Sequence, residues 1–341
     1  MVKITDVARH AGVSPSTVSY ALSGKRPISD ETRRRVQAAV RELGYRTHGR
    51  AHGAAGAGSR VLALAVPMRS GVHVPVVTQF AVSVVTAART HGHDVLLLTQ
   101  GEGEEGIGRI AETGLADALV VMDVQLQDPR LPILRSLPLP SVLIGVPAEP
   151  DGLTCVDLDF GAAGELCVDH LARLGHRTVA LVGSPPEVYV RRTAFARRLV
   201  QGFTAAADRH RLASAVYPCG TDRGAARTLA ERLLRDQPAL TGVVVHNEPL
   251  LDPLIDAFEE LGVRIPDDLS LTAVCPTPVA VSARIPLTSV TVPSTELGTR
   301  AVHLLVRKLS GIPVPQTTLL PPRLTERTST APRRATPRRT L

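Results

Sequence analysis

The stretch from residue 4 to residue 22, ITDVARHAGVSPSTVSYAL, decides how the beginning of this chain folds. Its first apolar residues recur at the spacing of an amphipathic helix, at Ile4, Val7, Ala8 and Ala11. Gly12 follows as a helix C-cap, and Ser14 is placed to cap a second helix that begins at Pro15. Two helices joined by so short a glycine-containing turn cross steeply, so the sequence predicts a helix-turn-helix.

The predicted second helix divides into an inner and an outer face. Val18 and Leu22 face inward, with Ala21 beside them. The outer face carries short hydroxyl groups and one phenol, at Ser16, Ser19 and Tyr20, with Pro15 and Thr17 at its edges. Such groups suit hydrogen bonding to base edges in a DNA groove.

A third helix is expected after Ser29, following the basic loop Gly24-Lys25-Arg26-Pro27. Its predicted core residues are Val36, Ala39, Val40 and Leu43, which leave Arg33, Arg34, Arg35 and Arg41 outside. Arginines close to a groove-facing helix favour phosphate contacts, whereas the plain alternative is a three-helix bundle with a solvated charged face.

Composition narrows the class of protein. A chain of 341 residues with 44% hydrophobic content can bury a sizeable core, and two or three folding units are expected. Residues 1–60 hold 11 Lys/Arg against 4 Asp/Glu, so the net charge of +7 is concentrated in the predicted head. A compact basic segment indicates a polyanionic partner, either nucleic acid or an anionic membrane surface.

The sequence shows no pattern typical of a metal site, a signal peptide or a membrane span. The four cysteines are widely spaced without a Cys-x-x-Cys pair, which favours reduced thiols and no metal site. The first twenty residues lack an apolar core stretch, and no apolar run approaches a membrane span. We therefore expect a cytoplasmic protein with no metal and no cofactor.

From residue 61 onward, apolar runs rich in β-branched residues alternate with helical patterns, which predicts α/β lobes with parallel sheets. Strands are expected at 61–66, 95–98, 119–122, 142–144, 179–182, around Val216, 243–245 and 269–274, and helices near 76–92, 107–113, 161–174, 194–209, 223–236 and 251–262. Two doubly wound lobes would bind a ligand in the cleft between them, at the carboxyl ends of their strands.

Several motifs closely resemble the LacI/GalR family of repressors. In the head they are Asp6-Val7-Ala8, Ala11-Gly12-Val13-Ser14, Thr17-Val18-Ser19, Leu22, Thr32-Arg33 and Glu42-Leu43-Gly44-Tyr45. In the body they are Asp169-His170-Leu171 through Leu174-Gly175-His176-Arg177, Gly202-Phe203, Ile265-Pro266-Asp267-Asp268, Pro286-Leu287-Thr288, Leu320-Pro321-Pro322 and Arg327-Thr328-Ser329.

The resemblance implies a fold and a function. The fold is α/β: an N-terminal three-helix helix-turn-helix head plus a two-lobed periplasmic-binding-protein-like doubly wound sensor domain. The expected divisions are a head at 1–46, a Gly-rich linker at 47–60, an effector-binding and dimerisation body at 61–330 and a basic disordered tail at 331–341. Such a protein binds a pseudo-palindromic operator in double-stranded DNA as a homodimer, represses transcription, and responds to a small-molecule effector, with a carbohydrate as one candidate.

The resemblance also implies site residues. Base reading maps onto Pro15, Ser16 and Tyr20, and phosphate contacts map onto Thr17, Ser19 and Ser29. The further predicted DNA-binding residues are Thr5, Ser14, Lys25, Arg26, Arg33, Arg50 and Ala54. The predicted effector-binding residues are Arg69, Asp159, Arg198, Asn247, Glu248 and Cys275.

The sequence departs from the family pattern at the linker. Ala54 stands where a Leu usually wedges into the minor groove, and a methyl group cannot unstack bases in that way. Four glycines within residues 47–58 disfavour a hinge helix, so a flexible tether is an equal alternative.

Other departures concern the groove-reading face and the pocket. Tyr20 replaces an arginine common in the family, which predicts a different operator. Glu248 and Cys275 stand where the family often has Asp, and Val76 and Val77 occupy the place of a sugar-stacking aromatic. A regulator that does not respond to sugar is therefore the first alternative.

Two motifs that suggest other chemistry have simpler explanations. The stretch 101–106, GEGEEG, matches a dinucleotide fingerprint, but its three carboxylates would repel a pyrophosphate, so a surface turn is expected. His91-Gly92-His93-Asp94 is interpreted as a helix-to-strand turn. No catalytic arrangement is found in the sequence, so an enzyme is not expected, and a solute-binding or enzymatic α/β protein is the remaining alternative.

Overall fold

The computed structural model of the protein describes residues 4–23, 28–43, 59–66, 74–99 and 103–333. Three helices form the head: α1 (Ile4–Ala11), α2 (Pro15–Ser23) and α3 (Asp30–Leu43). Their buried core contains Val7, Ala8, Ala11, Val18, Val36 and Ala39, with Ala21, Val40 and Leu43 packed against it. The predicted helix-turn-helix core is confirmed, while the side chains of Leu22 and Arg41 lie outside the described residues.

The predicted helix boundaries of the head are confirmed by their capping contacts. Gly12 has a φ of +63°, in the left-handed region that favours glycine. The Val13 amide donates to the Ala8 carbonyl at 3.0 Å, which closes α1. Ser14 Oγ accepts from the Thr17 amide at 3.1 Å, and Ser29 Oγ accepts from the Thr32 amide at 3.3 Å, so a serine caps each following helix.

The body consists of two lobes. The elements of the first lobe in chain order are β1 (Val61–Ala65), α4 (Val74–Thr90), β2 (Asp94–Leu98), α5 (Glu104–Thr113), β3 (Ala118–Val121), α6 (Leu131–Ser136), β4 (Ser141–Ile144) and β5 (Cys155–Leu158). Those of the second lobe are α7 (Phe160–Arg173), β6 (Thr178–Gly183), α8 (Pro186–Val190), α9 (Ala194–Arg209), β7 (Ala213–Pro218), α10 (Arg223–Asp236), β8 (Gly242–Val245), a 3₁₀ turn (Glu248–Leu250), α11 (Leu251–Glu260), β9 (Ser270–Cys275), α12 (Thr277–Ser282) and β10 (Thr288–Thr291). The chain then returns through α13 (Ser294–Leu309) and β11 (Thr317–Leu320) to the first lobe and ends the second lobe with β12 (Leu324–Thr325).

The two sheets share one topology. The first runs β2-β1-β3-β4-β5 with β11 added beside β5, and all its paired strands are parallel. The second runs β7-β6-β8-β9-β10 in parallel, with β12 antiparallel at its edge. Both orders are doubly wound, which confirms the predicted α/β architecture.

Three short segments carry the chain from one lobe to the other. They lie between β5 and α7, between β10 and α13, and between β11 and β12. The sequence pattern predicts none of α6, α8, α12, α13, β5, β10, β11 and β12, so the second and third crossings are found only in the structure. In the described residues no helix has both the length and the apolar character of a membrane span.

The turns singled out in the sequence are placed as expected. Gly92 has a φ of +70°, and the His93 amide donates to the Ala88 carbonyl at 3.0 Å, so His91-Gly92-His93 is the turn from α4 to β2. Gly103 is the N-cap residue of α5, while Gly101 and Glu102 lie outside the described residues. All four cysteines are buried and unpaired.

The end of the described chain is fixed to the second lobe. Ser329 is fully buried; its Oγ donates to the Leu271 carbonyl at 2.6 Å and accepts from the Thr288 amide at 2.8 Å. The Ala331 amide donates to Ser270 Oγ at 3.0 Å, and the Arg333 amide donates to the Leu174 carbonyl at 2.8 Å. The expectation of a disordered tail from 331 is therefore wrong for residues 331–333, while 334–341 lie outside the described residues.

The family motif Gly202-Phe203 has a packing role. A Cβ at Gly202 would overlap the carbonyl of Gly161, where α9 crosses α7. A Cβ at Gly164 would lie 2.5 Å from the Leu199 carbonyl oxygen. The two helices approach so closely that only glycine fits at these positions.

We predict that Gly202→Ala destabilises the body by about 1–3 kcal/mol, because the added methyl group overpacks the helix crossing. Urea unfolding of the full chain measures this change. Gly108→Ala is the matched control, since Gly108 also lies in a helix and its Cβ would sit 3.4 Å from Ile133. That control gains helix propensity of up to about 1 kcal/mol, and equal destabilisation of the two variants would contradict the packing argument.

Candidate functional site

The predicted groove-facing residues lie together on one side of α2. Pro15, Ser16 and Ser19 are exposed, and Thr17 and Tyr20 are half-buried. Ser14 Oγ lies 2.8 Å from both Ser16 Oγ and Thr17 Oγ1, so three hydroxyl groups cluster at the start of the helix. A helix N-terminus carries partial positive charge and favours contact with an anion such as a phosphate.

The basic residues of α3 have more than one role. Arg33 is exposed, with its Nη1 atom 3.9 Å from Asp30, and remains available to a phosphate. Arg35 Nη2 instead donates to the Ala11 carbonyl at 2.6 Å and braces the end of α1. Arg35 is exposed, as expected, and its guanidinium group also satisfies a helix-terminal carbonyl.

The remaining predicted DNA-binding residues form two groups, those that the structure describes and those that lie outside the described residues. Thr5 and Ser29 are exposed, at the starts of α1 and α3 respectively. Lys25, Arg26, Arg50 and Ala54 lie outside the described residues, as does the predicted effector residue Arg69.

A cavity of about 470 Å³ lies between the two lobes. The first lobe contributes Val74 to Val77, Phe80, Met122 to Val124, Ile144, Gly145 and Asp157; the second contributes Ser184, Pro185, Val188, Arg191, Phe195, Thr221 and His246 to Pro249, and Phe160 and Val292 lie at the crossings. The ends of β3, β4, β6 and β8 all open onto it, which confirms the predicted cleft at the carboxyl ends of the strands. Its volume is within the usual range for small-molecule sites.

Two of the predicted effector residues line the cavity. Asn247 Nδ2 donates to the Cys219 carbonyl at 2.9 Å and to the Gly183 carbonyl at 3.2 Å, so this amide ties together three strand ends. Glu248 begins the 3₁₀ turn beside it, and burial raises the pKa of its carboxyl group to about 7.

The other three described effector candidates do not line the cavity. Asp159 Oδ1 accepts from the Ala162 amide at 2.9 Å and caps α7. Arg198 Nη2 donates to the Pro147 carbonyl at 3.1 Å, which links the second lobe to the first. Cys275 is fully buried in the core of the second lobe, and burial raises the pKa of its thiol to about 12. Each therefore has a structural partner or a packed position in place of a cavity contact.

The cavity is also lined by polar side chains that were not among the predicted effector-binding residues. Asp157 is buried, with Oδ1 accepting from the Leu158 amide at 2.9 Å. Within the described part of the chain, Asp157 Oδ2, Arg191 Nε and His246 Nδ1 are buried atoms without a hydrogen-bond partner. Burial lowers the pKa of His246 to about 4, so its ring is neutral. A buried polar atom without a partner is unfavourable, and the residues that carry these three atoms line the cavity.

An aromatic wall stands behind these groups. The ring centroids of Phe160 and Phe195 are 5.5 Å apart, and the His246 ring lies 5.6 Å from the first and 5.5 Å from the second. The cavity therefore has an aromatic surface that the sequence pattern did not predict. Val76 and Val77 do line the cavity, but the aromatic surface comes from residues that are distant in sequence.

A buried ion pair shapes the edge of the cavity on the first lobe. Arg130 Nη2 lies 2.7 Å from Asp128 Oδ2 and donates to the Met122 carbonyl at 3.1 Å. The segment held in this way pairs with the second lobe, because the Leu126 amide donates to the Arg192 carbonyl at 3.0 Å and the Ala194 amide donates to the Val124 carbonyl at 2.9 Å. This pair therefore fixes both a cavity wall and a contact between the lobes.

We predict that Arg130→Met destabilises the body by about 3–5 kcal/mol, because it leaves the Asp128 carboxylate buried without its partner. Hydrogen exchange at the Leu126 and Ala194 amides should accelerate in parallel. Arg135→Met is the matched control, since Arg135 is exposed and binds only backbone carbonyls. The role of the ion pair is refuted if exchange at those amides is unchanged.

Asp157 makes stability depend on pH. Burial raises the pKa of its carboxyl group from 3.8 to about 7, against opposing effects of the Leu158 amide and Arg198, while Asp159 raises it further. The folded state therefore holds the proton more tightly than the unfolded state. This contribution to stability is complete below about pH 4 and is lost as the pH rises through about 7.

We predict that Asp157→Asn gains stability over the wild type as the pH rises from about 5 to about 8, by on the order of 1–3 kcal/mol. Thermal unfolding at a series of pH values measures the difference. Asp94→Asn at an exposed position shows the effect of removing one carboxylate without burial. A difference between Asp157→Asn and wild type that does not change with pH would contradict a buried titrating carboxyl at this position.

Comparison with known proteins places this geometry in a family. A model of bacterial regulatory proteins of the lacI family matches residues 3–48, and a periplasmic binding protein-like domain matches residues 168–330. The HTH-type transcriptional regulator AglR of Rhizobium meliloti is 30% identical over 279 residues, covering 80% of this chain and 77% of AglR. MalR of Streptomyces coelicolor is 27% identical over 353 residues, covering 96% of each chain.

Solved structures share the fold over nearly the whole chain. The lac repressor dimer bound to operator and the anti-inducer ONPF has a TM-score of 0.69 and 23% identity, covering 97% of this chain and 99% of that chain. The helix-turn-helix head and the two-lobed body thus define a DNA-binding transcriptional regulator. The chain belongs to the LacI family, as its motifs predicted.

Proposed function

We propose that this regulator is a cytoplasmic homodimeric repressor that places two copies of α2 in successive major grooves of a pseudo-palindromic operator. The observation that carries the proposal is the exposed, uncharged hydroxyl face of α2, a helix that the Ser14 cap begins. Side chains of this kind hydrogen-bond to base edges, and the adjacent Arg33 supplies a phosphate contact.

We propose individual roles that the family resemblance implies for these positions. Pro15, Ser16 and Tyr20 read bases, while Thr17 and Ser19 contact phosphates. Ser29 and Thr5, at the starts of α3 and α1, are further phosphate contacts. Ser14 acts mainly through its cap, since its hydroxyl group is already bonded to α2.

Basic residues of the head and of the linker complete the proposed interface. They are Lys25, Arg26 and Arg50, with Ala54 lying near the minor groove. The head would extend over 1–46, the linker over 47–60 and the effector-binding and dimerisation body over 61–330.

The interlobe cavity is the proposed effector site. Both lobes line it, so a bound molecule changes how the lobes meet and thereby the spacing of the two heads. Among the relatives, a solved complex of the regulator CelR contains cellobiose, and MalI of Escherichia coli is a regulatory protein of the maltose regulon. We therefore propose a carbohydrate effector, and a binding role without catalysis.

The test is selection of random duplex DNA by the purified full-length protein, compared with a Ser16→Ala, Tyr20→Ala double variant. We expect the wild type to enrich a pseudo-palindrome whose binding weakens steeply with salt. The double variant should lose at least about tenfold in affinity for it, because base contacts supply the discrimination.

Gln37→Ala, at an exposed position on α3, is the control and should retain the wild-type preference. Binding that depends on salt but shows no preference among sequences would overturn the proposal of a specific repressor.

A further inference from the structure

We infer that residues 124–126 of the first lobe and 192–194 of the second form a main-chain latch, which holds the two lobes together without any ligand and sets the resting arrangement of the regulator. The link from this latch to operator affinity rests on the proposed repressor function. The latch itself is tested independently of that function.

The latch is a short antiparallel pairing between loops of opposite lobes. The Leu126 amide donates to the Arg192 carbonyl at 3.0 Å. The Ala194 amide donates back to the Val124 carbonyl at 2.9 Å. Both partners in each bond belong to the main chain, so the two lobes are joined by bonds that need no effector.

Gln125 and Thr193 lie directly opposite each other between these two bonds. In an antiparallel pair of this kind the Cα atoms are about 4.5 Å apart and the side chains are close. Thr193 is fully buried although it lies in a loop. The Ala148 amide donates to the Leu126 carbonyl at 2.9 Å, which adds a third segment to the pairing.

The first-lobe side of the latch is held in shape by its own lobe. The Gln125 amide donates to Asp128 Oδ2 at 3.0 Å, and Arg130 Nη2 donates to the Asp123 carbonyl at 3.2 Å. Asp123 has a φ of +53°, in the left-handed region. A residue other than glycine keeps such a conformation only where its surroundings enforce it.

The second-lobe side is ordered in the same way. The Thr193 amide donates to the Val188 carbonyl at 3.1 Å, and the Arg192 amide donates to the Tyr189 carbonyl at 3.0 Å. Arg192 has a φ of +57°. Because each loop is already fixed by its own lobe, the two lose little conformational entropy when they pair.

The loops that form the latch also form part of the cavity wall. Val124 lines the cavity and donates its carbonyl oxygen to the latch as an acceptor, and Arg191 lines the cavity next to Arg192. Gly145 lines it as well, and a Cβ there would lie 2.7 Å from Val124 Cβ. A molecule in the cavity therefore touches the residues that carry the latch, and its binding changes how firmly the lobes are joined.

The first experiment traps the latch with a disulfide. The double variant Gln125→Cys, Thr193→Cys is oxidised in the full-length protein without added carbohydrate, and the crosslink is measured by mass spectrometry. The four native cysteines are buried, and the two single variants give the background. We expect most of the double variant to crosslink, because a pair at this spacing meets the geometry of a disulfide. Failure to crosslink above that background would overturn the latch.

The second experiment removes one latch bond. Ala194 is the first residue of α9, and Thr193 before it has a ψ of 129°. Proline is favoured at the first position of a helix and after an extended residue, so Ala194→Pro removes the donor and keeps the helix. We expect hydrogen exchange at the Leu126 amide to accelerate by at least about tenfold, because the two bonds support each other.

The distance between the lobes is measured with spin labels at two exposed positions, Glu112→Cys on α5 and Glu260→Cys on α11. Excess unlabelled protein ensures that each dimer has one labelled subunit. Ala194→Pro should lengthen or broaden this distance. Arg223→Pro is the matched control, since Arg223 is the exposed first residue of α10 after an extended Asp222. It should leave both the distance and the Leu126 exchange unchanged.

The effect on regulation is measured as affinity for the selected operator. Ala194→Pro should lose at least about threefold, because loosened lobes populate arrangements whose heads do not match the operator, while the crosslinked variant stays at the wild-type affinity. Thermal unfolding confirms that the variants are folded.

Unchanged exchange and distance in folded Ala194→Pro would overturn the latch. A lengthened distance with wild-type operator affinity would overturn its role in regulation. A wild type that selects no operator would count against the proposed repressor, and the crosslinking and exchange results would still decide the latch.

Discussion

The repeated passage of the chain between the two lobes is the constraint on which the body depends. Because β5, β10 and β11 each end beside the other lobe, the carboxyl ends of both sheets face a common space. Parallel strands leave their connecting loops at that end, so cavity-lining residues come from loops of both lobes. A ligand held there contacts two bodies joined by short segments, and its binding energy can therefore change how they are arranged.

Close packing beside the crossing segments stabilises the parts of the fold that surround the cavity. The α7 and α9 helices meet at Gly164 and Gly202, where no side chain fits. The buried pair Asp128 and Arg130 holds the loop that hydrogen-bonds across the lobes. The fully buried Ser329 ties the last described segment to β9 and β10. Several of the motifs that identified the family thus stabilise the fold and do not contact the cavity.

The cavity combines apolar walls with residues that carry buried polar atoms without protein partners. Burial is the main cause of the raised pKa of Asp157 and of the lowered pKa of His246, whose ring is neutral. In the head, the Ser14 hydroxyl group that caps α2 also contacts the Ser16 and Thr17 hydroxyl groups of the helix it begins.

The sequence by itself determined the head, the alternation of strands and helices, the two doubly wound lobes and the family. Those features follow from caps, glycine turns and periodicity, which act over a few residues. Only the tertiary structure decided which polar residues face the cavity. Asp157 lies on β5, a short strand whose charged residue obscures its apolar pattern in the sequence. It lines one cavity with Arg191 and His246 only because the fold brings the two lobes together. Asp159 caps a helix instead, because β5 ends at Leu158 and the chain turns into α7 at Asp159.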